Sequence, residues 1–345
     1  MRRIGKSSLA FLLFVISMTA CTGASTSSGE EVRLVLGAYT TPREAYGEII
    51  PRFQAYWLAE TGQSVIFDES YLGSGAQSRA VVEGFEADIV ALSLEADVTR
   101  IKNAGLITHD WKAGEYNGIV TTSIVSFAVR KGNPKDVKDW DDLAKPGIEI
   151  LTPNPNMSGG AMWNILGLYG AAMRGHVAGV AGNDHTSAAD FLRQVLANVS
   201  VMDKSARESI LNYEMGIGDL AITYENEVLV GRNSGQTYEL VIPTSTILIE
   251  NPIAIVDVNV DKHGTREVAE AFLEFLFTKE AQDIFAQHGL RVVNPDAAAA
   301  SASLYPEVED LFTIDYFGGW DVVMVEYFGQ EGIYNQAIMQ VHRGE

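Results

Sequence analysis

The chain has 345 residues, 47% hydrophobic and 20% charged, enough for a sizeable buried core and about two domains. Its 45 acidic residues against 25 basic ones give a net charge of −20, which repels nucleic acid and anionic lipid and excludes both as partners. A single cysteine, Cys21, leaves no internal disulfide and draws attention to the N-terminal stretch where it stands.

Residues 1–20 differ from the rest. Arg2, Arg3 and Lys6 make a basic start, and residues 9–16 are an apolar run too short to span a bilayer as a mature helix. Ser17-Met18-Thr19-Ala20 then leads into Cys21, completing the layout of a secretory signal that takes no part in the fold. The junction resembles a bacterial lipobox, in which the cysteine is lipidated and becomes the new N-terminus; residues 21–31, small and polar, read as a tether. Removing the signal takes three basic residues and no acidic one from the net charge of −20, leaving −23. On such a surface an anion site must work through short-range dipoles and hydrogen bonds, because exposed charge is screened beyond a Debye length of ~8 Å.

From residue 32 onward strands and helices alternate. Residues 32–36 read as a strand. Thr41-Pro42-Arg43-Glu44 supplies a capping threonine, a proline at the first helical position and a glutamate to complete a capping box. Ile49, Ile50, Phe53 and Trp57 continue at helical spacing. Residues 64–67 form a second strand, and Gly73-Ser74-Gly75 opens a helix through Val81, Val82 and Phe85. A third strand at 87–92 and a helix at 98–104 follow, a βαβα succession that predicts a parallel sheet with helices on both faces.

Residues 119–129 are β-rich and long enough to cross between two domains. Beyond them come a strand at 148–151, the turn Ser158-Gly159-Gly160 into a helix, a helix at 188–197, a strand at 199–202, a helix at 205–215 and a strand at 217–224. Two short runs, 240–243 and 246–249, precede a return crossing near 253–256. Amphipathic helices at 266–277 and 281–288, a small-residue linker at 297–303 and an aromatic segment at 311–339 complete the chain. The expected architecture is α/β, with two lobes, two crossover strands and a cleft between the lobes. Lobe I takes residues 32–120 and 254–300, lobe II takes 121–253, and residues 301–345 pack back on the lobes.

The chemistry is sparse. There is no G-x-S-x-G elbow, Walker loop or dinucleotide fingerprint, and the histidines at 109, 176, 185, 263, 288 and 342 lack helical ligand spacing. Asp88 and Glu225 adjoin strands and read as bonding nearby backbone. No enzyme, metal or cofactor is expected. What remains are loops that each precede a helix: Tyr39-Thr40-Thr41, Gly73-Ser74-Gly75, Ser158-Gly159-Gly160 and Ser205-Ala206-Arg207. A helix start has unpaired N–H groups and a partial positive charge, and glycines let a ligand approach the backbone. Ser158-Gly159-Gly160 alone favours an ordinary capped turn. Such loops repeated at strand ends of a two-lobed chain favour an oxyanion cleft.

The chain resembles the sulfate-binding protein family, the periplasmic components of sulfate/thiosulfate ABC importers. The resemblance runs over residues 32–328 and is carried by Pro153-Asn154-Pro155, Ser158-Gly159-Gly160-Ala161, the run 129–134, Asp139-Trp140-Asp141-Asp142-Leu143, Gly216-Ile217-Gly218-Asp219 and Phe317-Gly318-Gly319-Trp320. It implies the type II periplasmic-binding architecture and a dehydrated tetrahedral dianion held by neutral donors in a closed cleft. Residue by residue, it implies hydroxyl donation by Ser158 and Ser74 and backbone N–H donation by Thr40, Gly159, Gly160 and Ala206, with Arg207 supporting from behind. Tyr224 departs from the family, which has tryptophan there; an indole N–H only donates, whereas a phenol can donate or accept. Glu208-Ser209-Ile210-Leu211 departs too, replacing a run rich in glycine and threonine. The implied partners are sulfate or thiosulfate and the membrane permease subunits. The implied state is a monomer in the periplasm or at the cell surface, anchored through Cys21. The alternatives are a binder of molybdate, tungstate or phosphate, or a non-transport periplasmic protein on the same fold.

Overall fold

The computed structural model describes residues 31–344; the signal, Cys21 and nearly all of the tether fall outside them. The first part of the chain gives β1 (Val32–Tyr39), α1 (Arg43–Thr61), β2 (Val65–Leu72), α2 (Ser74–Val82), β3 (Ile89–Ala91), α3 (Glu95–Asn103) and β4 (Ile119–Val129). The middle gives β5 (Ile150–Pro153), α4 (Gly159–Met173), α5 (His185–Ala197), β6 (Val199–Asp203), α6 (Ala206–Glu214), β7 (Leu220–Tyr224), α7 (Glu225–Asn233), β8 (Glu239–Val241) and β9 (Ser245–Ile255). The remainder is α8 (Asp257–His263), α9 (Arg266–Leu276), α10 (Lys279–Gln287), β10 (Arg291–Val292), α11 (Pro295–Ser301), β11 (Asp310–Phe312), α12 (Trp320–Glu326) and α13 (Ile333–Arg343). Among the described residues no helix is long and apolar enough to cross a membrane.

The strands run β2-β1-β3-β9-β4-β7-β5-β6, with two long strands at the centre. On one side β1 pairs in parallel with β2 and β3, and β3 pairs antiparallel with residues 253–255 of β9. On the other, residues 125–129 of β4 pair antiparallel with β7, which lies parallel to β5, itself parallel to β6. β4 and β9 pair antiparallel with each other and are the strands that reach both sides. Each side is a parallel α/β layer whose strands deliver their C-terminal ends, and the helix starts that follow, to a shared cleft.

Separate apolar cores underlie the two sides. Leu34, Leu36, Phe53, Ile89, Phe272 and Phe285 belong to the first, and Phe127, Trp140, Trp163, Leu166, Phe191 and Leu220 to the second. Tyr39 and Leu94, which sit at the ends of first-side elements, belong to the second core. Residues of one lobe thus pack into the core of the other, which means the cleft is shut.

Several sequence-based expectations are corrected. The capping box at Thr41 does not form: α1 starts after Pro42 without a side-chain cap, because Glu44 is recruited by Arg207. The runs 246–249 and 253–256 are one continuous strand, β9, since Asn251 and Pro252 keep pairing with β4. The small-residue linker at 297–303 is mostly helix α11, capped by Asn294, which accepts from the N–H groups of Asp296 and Ala297. Alanine-rich sequence is a strong helix former once a cap supplies the start.

The C-terminal segment is tied down by a charge. β11 lies parallel to β9, and Asp310 accepts from Arg174 Nε at 2.7 Å and from Ser245 Oγ at 2.6 Å. The Arg174 guanidinium, aided by Ser245, holds the Asp310 carboxyl down to about 2 from its usual 3.8. A carboxyl depressed in the folded state stabilises fully above its unfolded value and loses that contribution as pH falls through its folded value. Asp310→Asn should therefore lower the urea midpoint at neutral pH, and the gap from the wild type should close as pH falls from about 4 toward about 2. A gap independent of pH would remove Arg174–Asp310 as its source.

Candidate functional site

The starts of α1, α2, α4 and α6 and the end of β7 meet where the two lobes touch. At α4, Ser158 occupies the N-cap position with extended backbone, yet its side chain makes no capping hydrogen bond although it is 4% exposed. Its neighbours Gly159 and Gly160 are buried at the first helical positions, where N–H groups have no acceptor within the helix. Both must be glycine for contact reasons. A Cβ on Gly160 would lie 2.7 Å from Tyr224 Cε2, and one on Gly159 would lie 2.7 Å from both Ser93 Oγ and Leu94 Cγ. The same geometry brings Ala206 and Ser158 beside Gly160, each 3.4 Å from that Cβ position.

Ser74 opens α2 and is 2% exposed. Its hydroxyl donates to Asp97 Oδ2 at 2.6 Å and accepts from the Ser93 N–H at 2.9 Å. The Ser74 hydroxyl is thus engaged by a buried carboxylate, while the backbone N–H at the first position of α2 has no acceptor within the helix. The other oxygen of Asp97 accepts from Arg100 at 2.5 Å.

Ala206 stands at the first position of α6, behind the Ser205 cap, whose hydroxyl accepts from the Glu208 N–H at 3.1 Å. Glu208 turns back to accept from the Lys204 N–H at 2.9 Å, so the altered 208–211 run caps its own helix rather than facing the cleft. Thr40, half-buried, follows the end of β1. Tyr39 beside it, the first residue of that candidate loop, has its phenol oxygen buried without a hydrogen-bond partner and its ring centroid 6.3 Å from that of Tyr224.

Tyr224, 1% exposed, ends β7. Its hydroxyl lies 2.6 Å from Ser93 Oγ, and either atom can donate. Burial pushes the Tyr224 phenol well above its ordinary value, so it keeps its proton at any physiological pH. Ser93 is the residue that sequence reasoning missed. Nothing in the run Leu92-Ser93-Leu94 marks it, and only the folded chain brings it to Gly159 and Tyr224. Its carbonyl accepts from the Trp163 indole N–H at 2.9 Å, which fixes its peptide from the far lobe.

Arg207 closes the back of the cleft. Its Nε donates to Glu227 at 2.7 Å, its Nη2 to Glu44 at 2.9 Å and to the Thr41 carbonyl at 3.3 Å. Burial tends to raise the Glu44 carboxyl, but the Arg207 guanidinium holds it below its ordinary value; for fully buried Glu227 burial wins and the shift is upward. Arg79 likewise reaches across, donating to the Asn156 carbonyl at 2.8 Å. Arg207 and Arg79 are thus committed to protein acceptors, while the N–H groups at the starts of α4 and α6 have no acceptor within their own helices. A surface cleft of about 590 Å³ lies away from this junction, between Trp111, Tyr116 and Phe277.

The model of the bacterial extracellular solute-binding protein family matches residues 34–291. A sulfate-binding protein of Synechocystis sp. is 44% identical over 97% of this chain and 97% of its own length. A thiosulfate-binding protein of Pseudomonas aeruginosa is 35% identical over 87% of this chain and 90% of its own. Among solved structures, the sulfate-binding protein SubI of Mycobacterium tuberculosis H37Rv superposes with a TM-score of 0.77 at 38% identity, covering 85% of this chain and 98% of that one.

Proposed function

The chain belongs to the bacterial extracellular solute-binding proteins, among the sulfate- and thiosulfate-binding members, and on that footing we propose that it captures sulfate or thiosulfate outside the cytoplasm and delivers it to an ABC permease. The observation that carries this reading is the start of α4: a buried cap hydroxyl that caps nothing, beside two buried N–H groups without helical acceptors. The proposed donors are the N–H groups of Thr40, Ser74, Gly159, Gly160 and Ala206 and the hydroxyls of Ser158 and Tyr224, with Arg207 bracing the closed form. Sulfate carries no proton at neutral pH, so an all-donor cage leaves no group unmatched.

Capture then works by closure. The anion enters between the lobes, draws the α2 start toward those of α4 and α6, and the lobes turn about β4 and β9. The proposed lobes are residues 32–120 with 254–300 and residues 121–253, supported by the two cores, with 301–345 packed against them. No covalent step is involved, so the protein has no catalytic cycle. Cys21 is the proposed lipid anchor, and the working unit is a monomer.

Calorimetry should give micromolar or tighter sulfate binding. Ser158→Ala, which deletes one hydrogen bond to a charged ligand, should weaken it about tenfold to a hundredfold. No heat and no thermal shift at millimolar sulfate would overturn the reading, and preferential capture of molybdate or tungstate would redirect it to another oxyanion.

A further inference from the structure

We infer that Gly73, Ala76 and Arg79 of one lobe and the main chain of Asn156, Met157 and Lys204 of the other form a clasp that holds the cleft shut and sets how long a captured anion stays. The inference rests on the oxyanion reading above and goes beyond it, since none of these groups is among the proposed anion donors. It also gives a role to Pro153-Asn154-Pro155-Asn156, which the anion site leaves unused. Three observations carry it, of which the first is position. In the strand order β2-β1-β3-β9-β4-β7-β5-β6, Gly73 follows β2 and Lys204 follows β6. The clasp therefore joins the two ends of the sheet, each three strands away from a crossover strand. A contact there has the longest lever arm about β4 and β9 and must break for the lobes to part.

The second observation is complementary hydrogen bonding. Asn154 Oδ1 accepts from the Asn156 N–H at 2.8 Å, and the Asn154 carbonyl accepts from the N–H groups of Met157 and Ser158, each at 2.9 Å. The Asn154 N–H donates to the Asp203 carbonyl at 2.8 Å, which fixes the turn against the end of β6. So held, the turn presents two carbonyls to the other lobe. Arg79 Nη2 donates to that of Asn156 at 2.8 Å. The Ala76 N–H, in the first turn of α2 and without a helical acceptor, donates to that of Met157 at 3.2 Å. The third observation is close backbone approach. A Cβ on Gly73 would lie 2.5 Å from the Met157 carbonyl oxygen and 2.6 Å from that of Lys204, both main-chain atoms of the other lobe. Gly73 has φ −58° and ψ 139°, a conformation open to alanine, so it is the clasp that requires glycine there.

Because the clasp bonds protein to protein, its loss lowers affinity for every captured anion by one factor, and through dissociation rather than association. The test is stopped-flow tryptophan fluorescence of wild type, Arg79→Met and Gly73→Ala with sulfate and with selenate. Trp163, whose indole N–H donates across the lobes to the Ser93 carbonyl at 2.9 Å, is the reporter. Arg79→Met should speed dissociation about threefold to tenfold, equally for both anions, with association within about twofold of the wild type. Gly73→Ala should weaken both anions about tenfold to a hundredfold, while without anion it melts no earlier than the wild type. Wild-type dissociation in Arg79→Met, or wild-type affinity in Gly73→Ala, would overturn the inference. So would a loss in Arg79→Met carried by association, which would make Arg79 a guide for the entering anion. A loss unequal between sulfate and selenate would overturn it too, by placing the guanidinium at the anion. Wild type that binds neither anion would instead remove the oxyanion reading beneath it.

Discussion

Gly159→Val should cost sulfate affinity about a hundredfold or more, and Gly159→Ala about tenfold, while the apo protein melts no earlier than the wild type. The asymmetry comes from where the added atoms land. A Cβ at 159 meets Leu94 Cγ and Ser93 Oγ, each at 2.7 Å, and both belong to the loop after β3 on the other lobe. An open protein does not feel that clash, and a helix position gains intrinsic stability when glycine becomes alanine. Only closure meets the obstruction. Gly160 behaves differently, because its obstacle, Tyr224 Cε2, lies on the same lobe and is present in either form. Closure also has a spectroscopic reporter, the Trp163 indole that donates to the Ser93 carbonyl at 2.9 Å. The sulfate-induced change in tryptophan fluorescence should vanish in Gly159→Val. An unchanged fluorescence response with wild-type affinity would show that residues 93–94 and 159 do not meet on binding.

Much of this architecture is legible in residue order. Residues 32–36 of β1, Ile119–Val129 and the start of α4 can be read from apolar alternation and from the Ser158-Gly159-Gly160 punctuation, because those signals are local. Their failures share one cause. Glu44 looks like half of a capping box until Arg207, 163 residues away, offers it a guanidinium. Ser74 looks like a free hydroxyl until Asp97 arrives as acceptor. Ser93 carries no local mark at all, since its role is made by Gly159 and Tyr224 approaching from the opposite lobe. Contacts across the cleft have no sequence periodicity, so the helix starts can be read and the groups that tune them cannot.

Arg207→Met should destabilise the protein by about 3–5 kcal/mol, the cost of leaving a buried charge without its partner. Glu227 is 1% exposed, one of its oxygens has no hydrogen-bond partner, and Arg207 Nε supplies the other at 2.7 Å. Without the guanidinium the carboxyl must either stay charged in an apolar setting or take up a proton, to which burial already inclines it. Adding Glu227→Gln to Arg207→Met should therefore recover most of the loss in a urea titration. Glu44→Gln should behave otherwise. Glu44 is partly exposed and contacts Arg207 from the far lobe, so its loss should leave apo stability within about 1 kcal/mol and weaken sulfate binding. If Arg207→Met were as stable as wild type, or the second substitution recovered nothing, the buried pair would not be the source of stability.

The central claim is that neutral donors, not cations, hold the anion. A crystal structure with selenate, located by its anomalous signal, tests it most directly. The account predicts one anion between the lobes, within hydrogen-bond distance of the Gly159 and Gly160 nitrogens and Ser158 Oγ, with Arg207 still on Glu44 and Glu227. A selenate bound through Arg79, Arg100 or Arg207, or seated away from the start of α4, would contradict it.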